Sequence, residues 1–203
     1  MSDYVERTRA TYDAVSGLYQ QRTASLWPEL IVHLDWFSSV VGSSGRAVDV
    51  GCGPGRDTRA LRDRGVAVVG LDLSLAQLKT GGLPEVCVAD LRALPVRSDS
   101  VDGVWCQAAF LHVPREDVVP TLSEFRRVLH PGGWLYLCTT EGDGERWETE
   151  RYGDDHPRWF VHHRRDALVL MLDRVGFEVI SAEIETADRR WVSIRARAAM
   201  RAA

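Results

Sequence analysis

The spacing of hydrophobic and polar positions changes near residue 45 of the chain. Before it, apolar residues recur at helical spacing, most clearly at Leu30, Leu34 and Phe37, and the first forty residues predict two helices. After it, short apolar runs alternate with amphipathic segments, which predicts strands separated by helices. The predicted strands cover residues 47–50, 66–71, 86–88, 101–106, 134–139, 177–184 and 191–196. The predicted helices of this part end at Arg64 or cover residues 74–79, 116–129 and 164–175.

This order of elements predicts an α/β fold, a mostly parallel sheet with helices on both faces. A sheet of that kind binds ligands at the carboxyl ends of its strands, so we look for chemistry in the loops after the first four strands. No repeat or low-complexity linker divides the sequence. We therefore expect a single domain over residues 1–203, with a helical cap over 1–42 and a core over 46–198.

Composition narrows the possible partners. Of 203 residues, 45% are hydrophobic, and 25 Lys and Arg against 29 Asp and Glu give a formal net charge of -4. That charge argues against a nucleic-acid-binding surface and against a polybasic membrane anchor. No run approaches the roughly 20 apolar residues of a membrane helix, and the first residues lack the apolar region of a signal peptide. We expect a cytoplasmic protein without membrane partners.

The four cysteines predict no special chemistry. Cys52, Cys87, Cys106 and Cys138 stand far apart, without a CxxC pair or a histidine at metal-ligand spacing. We expect reduced thiols and no metal site.

A glycine-rich loop is the most specific segment. The pattern Asp49-x-Gly51-x-Gly53-x-Gly55 follows a predicted strand and opens a predicted helix. Such a loop lets a ligand approach the backbone, and the helix N-terminus favours a carboxylate or phosphate. A dinucleotide site would read G-x-G-x-x-G, but its sixth position here is Arg56. A nucleotide-cofactor oxidoreductase stays open as a less favoured alternative.

The next two strands end in acidic residues. Asp72 follows the glycine turn by about 20 residues, where a carboxylate accepts hydrogen bonds from ribose hydroxyls. Asp72 could instead cap the next helix, but Ser74 is the better N-cap residue. The third strand ends at Asp90, which can accept from an adenine amino group, with the Leu91 backbone N–H beside it.

At these residues the sequence resembles the class I S-adenosylmethionine-dependent methyltransferases, specifically the small single-domain branch that includes ubiquinone-biosynthesis-type enzymes. The resemblance runs from about residue 12 to residue 198. Its motifs lie at residues 48–55, 69–74, 88–95, 100–113, 127–135 and 176–179. It implies a Rossmann-like seven-stranded sheet with the last strand antiparallel and an N-terminal helical lid. The segment 75–85 is shorter than the family pattern, which puts that side of the adenine pocket in doubt.

The resemblance also implies the site residues and the cofactor, S-adenosylmethionine, with S-adenosylhomocysteine as product. The expected cofactor-binding residues are Asp49, Gly51, Cys52, Gly53, Gly55, Asp72, Leu73, Asp90, Leu91, Gln107 and Tyr19. His112 is the candidate general base, with a structural role as the alternative. Tyr12, Arg158 and Trp159 are candidate substrate residues. The segment 141–160 covers the substrate in similar enzymes, and a solvated loop with anchoring aromatic residues is the alternative.

The expected reaction is methyl transfer to an N, O, S or C nucleophile of a small molecule. The fourth-strand segment lacks the [DN]-P-P-[YFW] motif of amide and adenine methylases, and no Pro-Cys pair follows it. A tRNA or protein acceptor and a non-catalytic S-adenosylmethionine-binding regulatory subunit stay open as alternatives. Monomer and homodimer are both compatible with the sequence.

Overall fold

Seven α-helices and nine strands make up most of residues 3–200, the part of the chain that the computed structural model describes. The helices are α1 (Asp3–Ala14), α2 (Ser16–Thr23), α3 (Pro28–Val41), α4 (Arg56–Asp63), α5 (Leu75–Gly81), α6 (Val118–Val128) and α7 (Arg165–Arg174). The strands are β1 (Arg46–Val50), β2 (Ala67–Asp72), β3 (Val86–Val88), β4 (Val101–Gln107), β5 (Leu129–Thr140), β6 (Glu145–Glu148), β7 (Arg158–Val161), β8 (Phe177–Thr186) and β9 (Arg190–Ala198). Two short 3-10 helices, Phe110–His112 and Arg115–Asp117, connect β4 to α6.

Seven of the strands form one sheet in the order β3-β2-β1-β4-β5-β9-β8. The pairs from β3 through β5 are parallel, and β9 runs antiparallel to both of its neighbours. The predicted seven-stranded, mostly parallel sheet with its last strand antiparallel is therefore confirmed. Because the chain leaves β3 at one side of β1 and re-enters the sheet at the other side with β4, a crevice opens at the carboxyl ends of β1 and β4.

Helices cover both faces of this sheet, as predicted. On one face, Leu34 and Phe37 of α3 pack with Trp105 and Tyr136, whose rings stack at 4.0 Å between centroids. On the other face, apolar residues of α6 and α7 join those of β4, β5 and β9 in a second cluster. Each fully buried Leu or Phe side chain contributes about 1.5–3 kcal/mol, so the two clusters hold the strand ends in place for the loops that follow them.

The N-terminal segment differs from the prediction of two helices. It forms three, because the helical path breaks at Val15, where φ is -102° and ψ is 13°. Pro28 occupies the first turn of α3, where its missing N–H costs nothing. Of the cap predicted over residues 1–42, α3 packs against the sheet, and α1 and α2 lie at the carboxyl ends of the strands. The domain boundaries stay a prediction, and residues 1–2 and 201–203 lie outside the described residues.

The charged segment predicted as a loop over 141–160 contains the antiparallel hairpin of β6 and β7. Two of its charged residues, Glu148 and Arg158, are buried. Glu148 is neutralised by Arg146 and Arg189, each at 2.9 Å from a carboxylate oxygen. Charged residues are typical of solvent-exposed loops. Because Glu148 and Arg158 interrupt any apolar alternation, the sequence pattern does not predict this hairpin.

Two further features concern the chain as a whole. All four cysteines are free thiols. Between residues 3 and 200, no helix is long and apolar enough to cross a membrane.

The contact between α3 and the sheet gives a test of the fold. A Cβ on Gly103 would lie 2.6 Å from Phe37 Cζ and 2.8 Å from Val41 Cγ2, so Gly103→Ala must displace these two side chains of α3. We expect a loss of about 1–3 kcal/mol in the free energy of unfolding, measured by denaturant titration. Gly17→Ala is the control, because its Cβ meets nothing within 4 Å and the residue lies in α2. The control gains about 0.4–1 kcal/mol, and an unchanged midpoint for Gly103→Ala would contradict this packing.

Candidate active site

A pocket lies at the carboxyl ends of β1 to β4, beneath α1. Its open space, with the mouth and the solvent in front of it included, is about 780 Å³. Of the residues predicted from the sequence, it is lined by Tyr12, Tyr19, Gly51, Gly53, Asp72, Leu73, Asp90, Leu91 and His112. The structure therefore brings together residues from the N-terminal helices, the glycine loop and three strand ends.

The glycine loop is tied to the end of β2 through its backbone. The N–H groups of Gly51 and Cys52 both donate to the Leu71 carbonyl, at 2.7 and 3.0 Å. Gly51 has a φ of 74°, and a Cβ there would lie 2.1 Å from the Cβ of Ala109. Only glycine therefore allows the loop to pass this close to the segment after β4.

Three predicted cofactor residues do not line the pocket: Asp49 of β1, and Cys52 and Gly55 of the loop itself. The buried Asp49 carboxylate accepts a 2.6 Å hydrogen bond from the Thr58 hydroxyl of α4. Burial and the nearby Asp57 carboxylate raise the pKa of Asp49. The hydrogen bond between Asp49 and Thr58 thus connects β1 to α4 and restricts the glycine loop that joins them.

Asp72 links the glycine loop to α5. Its two carboxylate oxygens accept from the N–H groups of Gly53 and Ser74, both at 2.8 Å. Burial raises the pKa of Asp72 to about 6, although both N–H groups act in the opposite direction. A carboxylate has about four lone-pair sites, so two remain for a ligand in the pocket. Ser74 is the N-cap of α5, as predicted, and accepts from the Gln77 N–H at 3.1 Å.

Asp90 lines the pocket, but its carboxylate is already engaged. Arg92 donates to it from the backbone N–H at 2.9 Å, from Nε at 3.0 and 3.1 Å, and from a terminal guanidinium nitrogen at 2.6 Å. Burial acts to raise the pKa of Asp90, but the Arg92 contacts outweigh it and lower the pKa. Arg92 also bridges to Asp117 at 2.6 Å. An adenine amino group that donates to Asp90, as the sequence predicts, would therefore have to compete with Arg92 for the carboxylate oxygens.

His112 is held on both ring nitrogens. Nδ1 lies 2.6 Å from the Trp159 carbonyl and Nε2 lies 2.9 Å from the Tyr12 hydroxyl. Because a carbonyl can only accept, Nδ1 carries the proton, and the unprotonated Nε2 accepts from Tyr12. Burial lowers the pKa of His112 to about 3, so the ring is neutral near pH 7.

The candidate substrate residues occupy different positions around Tyr12. The Tyr12 hydroxyl accepts from Arg158 at 3.3 Å, and Arg158 lies behind it, outside the pocket lining. The Trp159 ring stacks on Tyr4 of α1 at 4.6 Å, so it anchors the helix from outside the pocket. Tyr12 and Tyr19 pack edge to face at 5.4 Å, and burial strongly raises the pKa of Tyr19. Gln107 lies outside the lining, and its side-chain oxygen is buried without a partner.

The helix α1 is held over the pocket by side chains that the sequence did not single out. Thr11 donates to the Pro157 carbonyl at 2.6 Å, and Thr8 accepts from the Trp159 N–H at 2.9 Å. On the opposite side, Asp13 accepts from the Ser74 hydroxyl at 2.5 Å, and the Gln77 amide donates to the Tyr12 carbonyl at 3.0 Å. The recurrence of Thr8 and Thr11 at helical spacing is the one sequence signal for these contacts.

Other pocket residues were also missed. The walls contain Val5, Thr8, Arg9, Ser74, Gln77, Ala89, Arg92, Ala108, Ala109 and Val113 in addition to the predicted residues. Ala108 has a positive φ of 55°, which is uncommon outside glycine and marks a sharp turn after β4. Within residues 3–200, no group of three His, Cys, Asp or Glu side chains is arranged to hold a metal ion.

The neutral state of the partly buried His112 predicts a pH effect on stability. Its pKa of about 3 lies below the ordinary value of 6.5, so the unfolded chain binds a proton that the folded chain does not. The stabilisation is complete above pH 6.5 and falls on acidification. When the pH falls from 7 to 5, the free energy of unfolding should decrease in both proteins, but by about 2 kcal/mol less in His112→Asn than in the wild type. Denaturant titrations at both pH values measure this, and equal losses in the two proteins would contradict the assignment.

Comparisons with known proteins agree with this geometry. Residues 48–137 match the family model described as a methyltransferase domain. The chain is 38% identical over 96 residues to malonyl-[acyl-carrier protein] O-methyltransferase of Salmonella typhimurium, covering 45% of this chain and 38% of that protein. It is 31% identical over 119 residues to ubiquinone biosynthesis O-methyltransferase of Bordetella avium, covering 53% of this chain and 48% of that protein. The chain thus spans less than half the length of these two relatives.

A solved structure shares the whole fold. The 1,6-didemethyltoxoflavin-N1-methyltransferase of Burkholderia thailandensis, solved with 1,6-didemethyltoxoflavin and S-adenosylhomocysteine, superposes with a TM-score of 0.76. The match covers 97% of this chain and 89% of that one at 16% identity. Residues 48–137, which include the glycine loop at the end of β1, thus match a methyltransferase domain, and the chain shares the fold of the Burkholderia enzyme.

Proposed function

We propose that this protein transfers the methyl group of S-adenosylmethionine to a nucleophilic N, O, S or C atom of a small molecule. The observation that carries the proposal is the pocket in which the glycine loop, Asp72 and the Asp90–Leu91 segment converge beneath α1. When bound, S-adenosylmethionine supplies a methyl group activated by a sulfonium and leaves as S-adenosylhomocysteine.

The pocket fits such a cofactor in three ways. Gly51 and Gly53 present backbone without a Cβ to the pocket. Asp72 keeps lone pairs for two ribose hydroxyls after its bonds to Gly53 and Ser74. The Gln77 side-chain oxygen is buried in the pocket wall without a partner, so it can accept from a donor such as an ammonium group. Leu91 lines the same pocket next to Asp90, and we propose that its backbone N–H contacts the adenine, because the Asp90 carboxylate is already bonded to Arg92.

The chain contributes mainly position and the exclusion of water. A sulfonium is already a good leaving group, so orientation of the acceptor in a dry site supplies much of the rate. The helix α1 covers the pocket and is bonded both to β7 and to α5. For His112, a pKa of about 3 and a lone pair already bonded to Tyr12 make it a weak base. We propose that His112 positions the Tyr12 hydroxyl, which is the structural role left open by the sequence beside that of general base.

A small acceptor suits the enclosed site better than a macromolecule. Helix α1 and the hairpin of β6 and β7 cover the side of the pocket where Tyr12 and His112 lie. Of the similar proteins, the ubiquinone biosynthesis enzyme and the Burkholderia enzyme are named for small molecules, whereas the Salmonella relative is named for malonyl-[acyl-carrier protein], an acyl group on a carrier protein. The net charge of -4 gives no electrostatic support for a tRNA acceptor.

The ribose contact is tested by isothermal titration with S-adenosylhomocysteine. Asp72→Asn removes the carboxylate charge and one acceptor, so we expect the dissociation constant to rise about tenfold to a hundredfold. Asp63→Asn is the matched control, because Asp63 is exposed on α4 and outside this pocket. Equal affinities of Asp72→Asn and the wild type would refute the ribose contact, and an absence of wild-type binding would refute the cofactor.

The acceptor class is tested with S-adenosylmethionine carrying a labelled methyl group. After incubation with extracts divided into metabolites, RNA and protein, we expect label only in the metabolite fraction. Gly51→Ala is the inactive control, because its Cβ would clash with Ala109. Label in the RNA or protein fraction that disappears with Gly51→Ala would instead support a macromolecular acceptor.

A further inference from the structure

Unpaired buried polar atoms concentrate in one segment of the chain. Among the described residues, ten buried side-chain nitrogen or oxygen atoms have no hydrogen-bond partner, and five of them belong to residues 152–163. These five are Tyr152 Oη, Arg158 Nε, Trp159 Nε1, His162 Nε2 and His163 Nε2. Buried polar atoms in native proteins are normally bonded, so such a concentration points to a missing partner.

Arg158 is the charged member of this set. The residue is only 5% exposed, and in the described part of the chain the one hydrogen bond of its side chain is the 3.3 Å bond to the Tyr12 hydroxyl. No carboxylate of residues 3–200 forms an ion pair with it. A buried charge normally has an opposite charge as partner, because removing the charge from water is costly. An ordinary packing role therefore does not account for an arginine here.

The nearby charges leave an excess of positive charge. Glu148 is the buried carboxylate beside Arg158, and Arg146 and Arg189 already pair with it at 2.9 Å. With Arg158 included, three guanidinium groups face two carboxylates, Glu148 and the exposed Asp188, which lies 4.0 Å from Arg189. The closest histidine on the pocket side, His112, is neutral. The Arg158 guanidinium therefore lacks a negative partner, and a bound anion would balance its charge.

Aromatic rings hold the Arg158 guanidinium in place. Its central carbon lies 4.8 Å from the ring centre of Tyr152, 4.9 Å from that of Phe160 and 5.8 Å from that of Tyr12. Aromatic faces orient a guanidinium without using its N–H donors. The donors remain available for a planar oxyanion, which an arginine binds with two parallel hydrogen bonds.

Tyr12 connects this group to the pocket. Its hydroxyl contacts both Arg158 and His112, and Tyr12 and His112 line the pocket wall. An anion bound by Arg158 beside Tyr12 would therefore lie next to the pocket, on the side of the post-β4 segment and the hairpin. That position suits a group of the acceptor rather than of the cofactor, whose predicted contacts are with Gly53 and Asp72.

We propose that Arg158, with Tyr152 and Tyr12, binds a carboxylate of the methyl acceptor, so that the acceptors of this enzyme are small carboxylic acids. The inference rests on the proposed function and names its substrate class. Arg158 is a specificity-determining residue in this proposal and takes no part in bond making or breaking.

The test measures carboxylate binding to the protein saturated with S-adenosylhomocysteine. The probes are acetate, malonate, benzoate and 4-hydroxybenzoate, each paired with its neutral amide, and inorganic phosphate as a rival anion. Thermal-shift titrations at constant ionic strength give the affinity of each probe. We expect at least one carboxylate to stabilise the wild type in a saturable manner while its amide does not.

Three variants assign that binding to Arg158. Arg158→Lys keeps the charge but loses the planar pair of donors, and we expect about tenfold weaker carboxylate binding. Arg158→Met loses the charge as well, with binding weaker by about thirtyfold or more. Arg7→Met is the matched control, because Arg7 lies 4.7 Å over the Trp147 ring on an exposed part of α1. It should bind like the wild type, and if Arg158→Met does not fold, Arg158→Lys decides.

Three results would overturn the proposal: no carboxylate distinguished from its amide, equal binding in Arg158→Lys and the wild type, or stabilisation by phosphate alone. The affinity for S-adenosylhomocysteine, measured in every variant, separates this failure from failure of the proposed function. If the wild type does not bind S-adenosylhomocysteine, the proposed function fails, and the carboxylate series on the unliganded protein still tests the Arg158 site.

Discussion

The carboxylate of Asp72 is the contact on which the rest of the site depends. It accepts from Gly53 in the loop after β1 and from Ser74 at the start of α5, so one partly buried group fixes the ends of β1 and β2. Burial raises the pKa of Asp72, and the two N–H groups are what favours its charged form. A charge placed this way restricts the backbone around it, because any shift of the loop would leave the carboxylate without its donors.

From Asp72 the hydrogen bonds continue into the N-terminal helix and the hairpin. Ser74 donates to Asp13, and Tyr12, one residue earlier, is bonded to Gln77 through its carbonyl and to His112 through its hydroxyl. His112 in turn donates to the Trp159 carbonyl of β7. The glycine loop, α5, α1 and β7 are therefore joined by consecutive contacts. The elements that cover the pocket, α1 and β7, thus belong to the same hydrogen-bond network as the glycine loop.

The sequence predicted the parts of the site that are local in the chain. The loop from Gly51 to Gly55 and Asp72 were readable because each follows an apolar strand at the carboxyl edge of a parallel sheet. The partners of His112 could not be predicted from the sequence, because Tyr12 and Trp159 are separated from it by 100 and 47 residues. Nor was the hairpin, because Glu148 and Arg158 are buried although their residue types are usually exposed. Such pairings depend on tertiary packing, which spacing along one chain does not encode.

If the pocket and its cover form one unit, both should respond when an adenosyl cofactor binds. Hydrogen exchange, followed peptide by peptide with and without S-adenosylhomocysteine, measures this response. We expect slower exchange in the glycine loop together with α1 and β7, because the same contacts connect them. Protection of the glycine loop alone, with α1 and β7 exchanging as before, would refute the single unit, and no protection at all would refute cofactor binding.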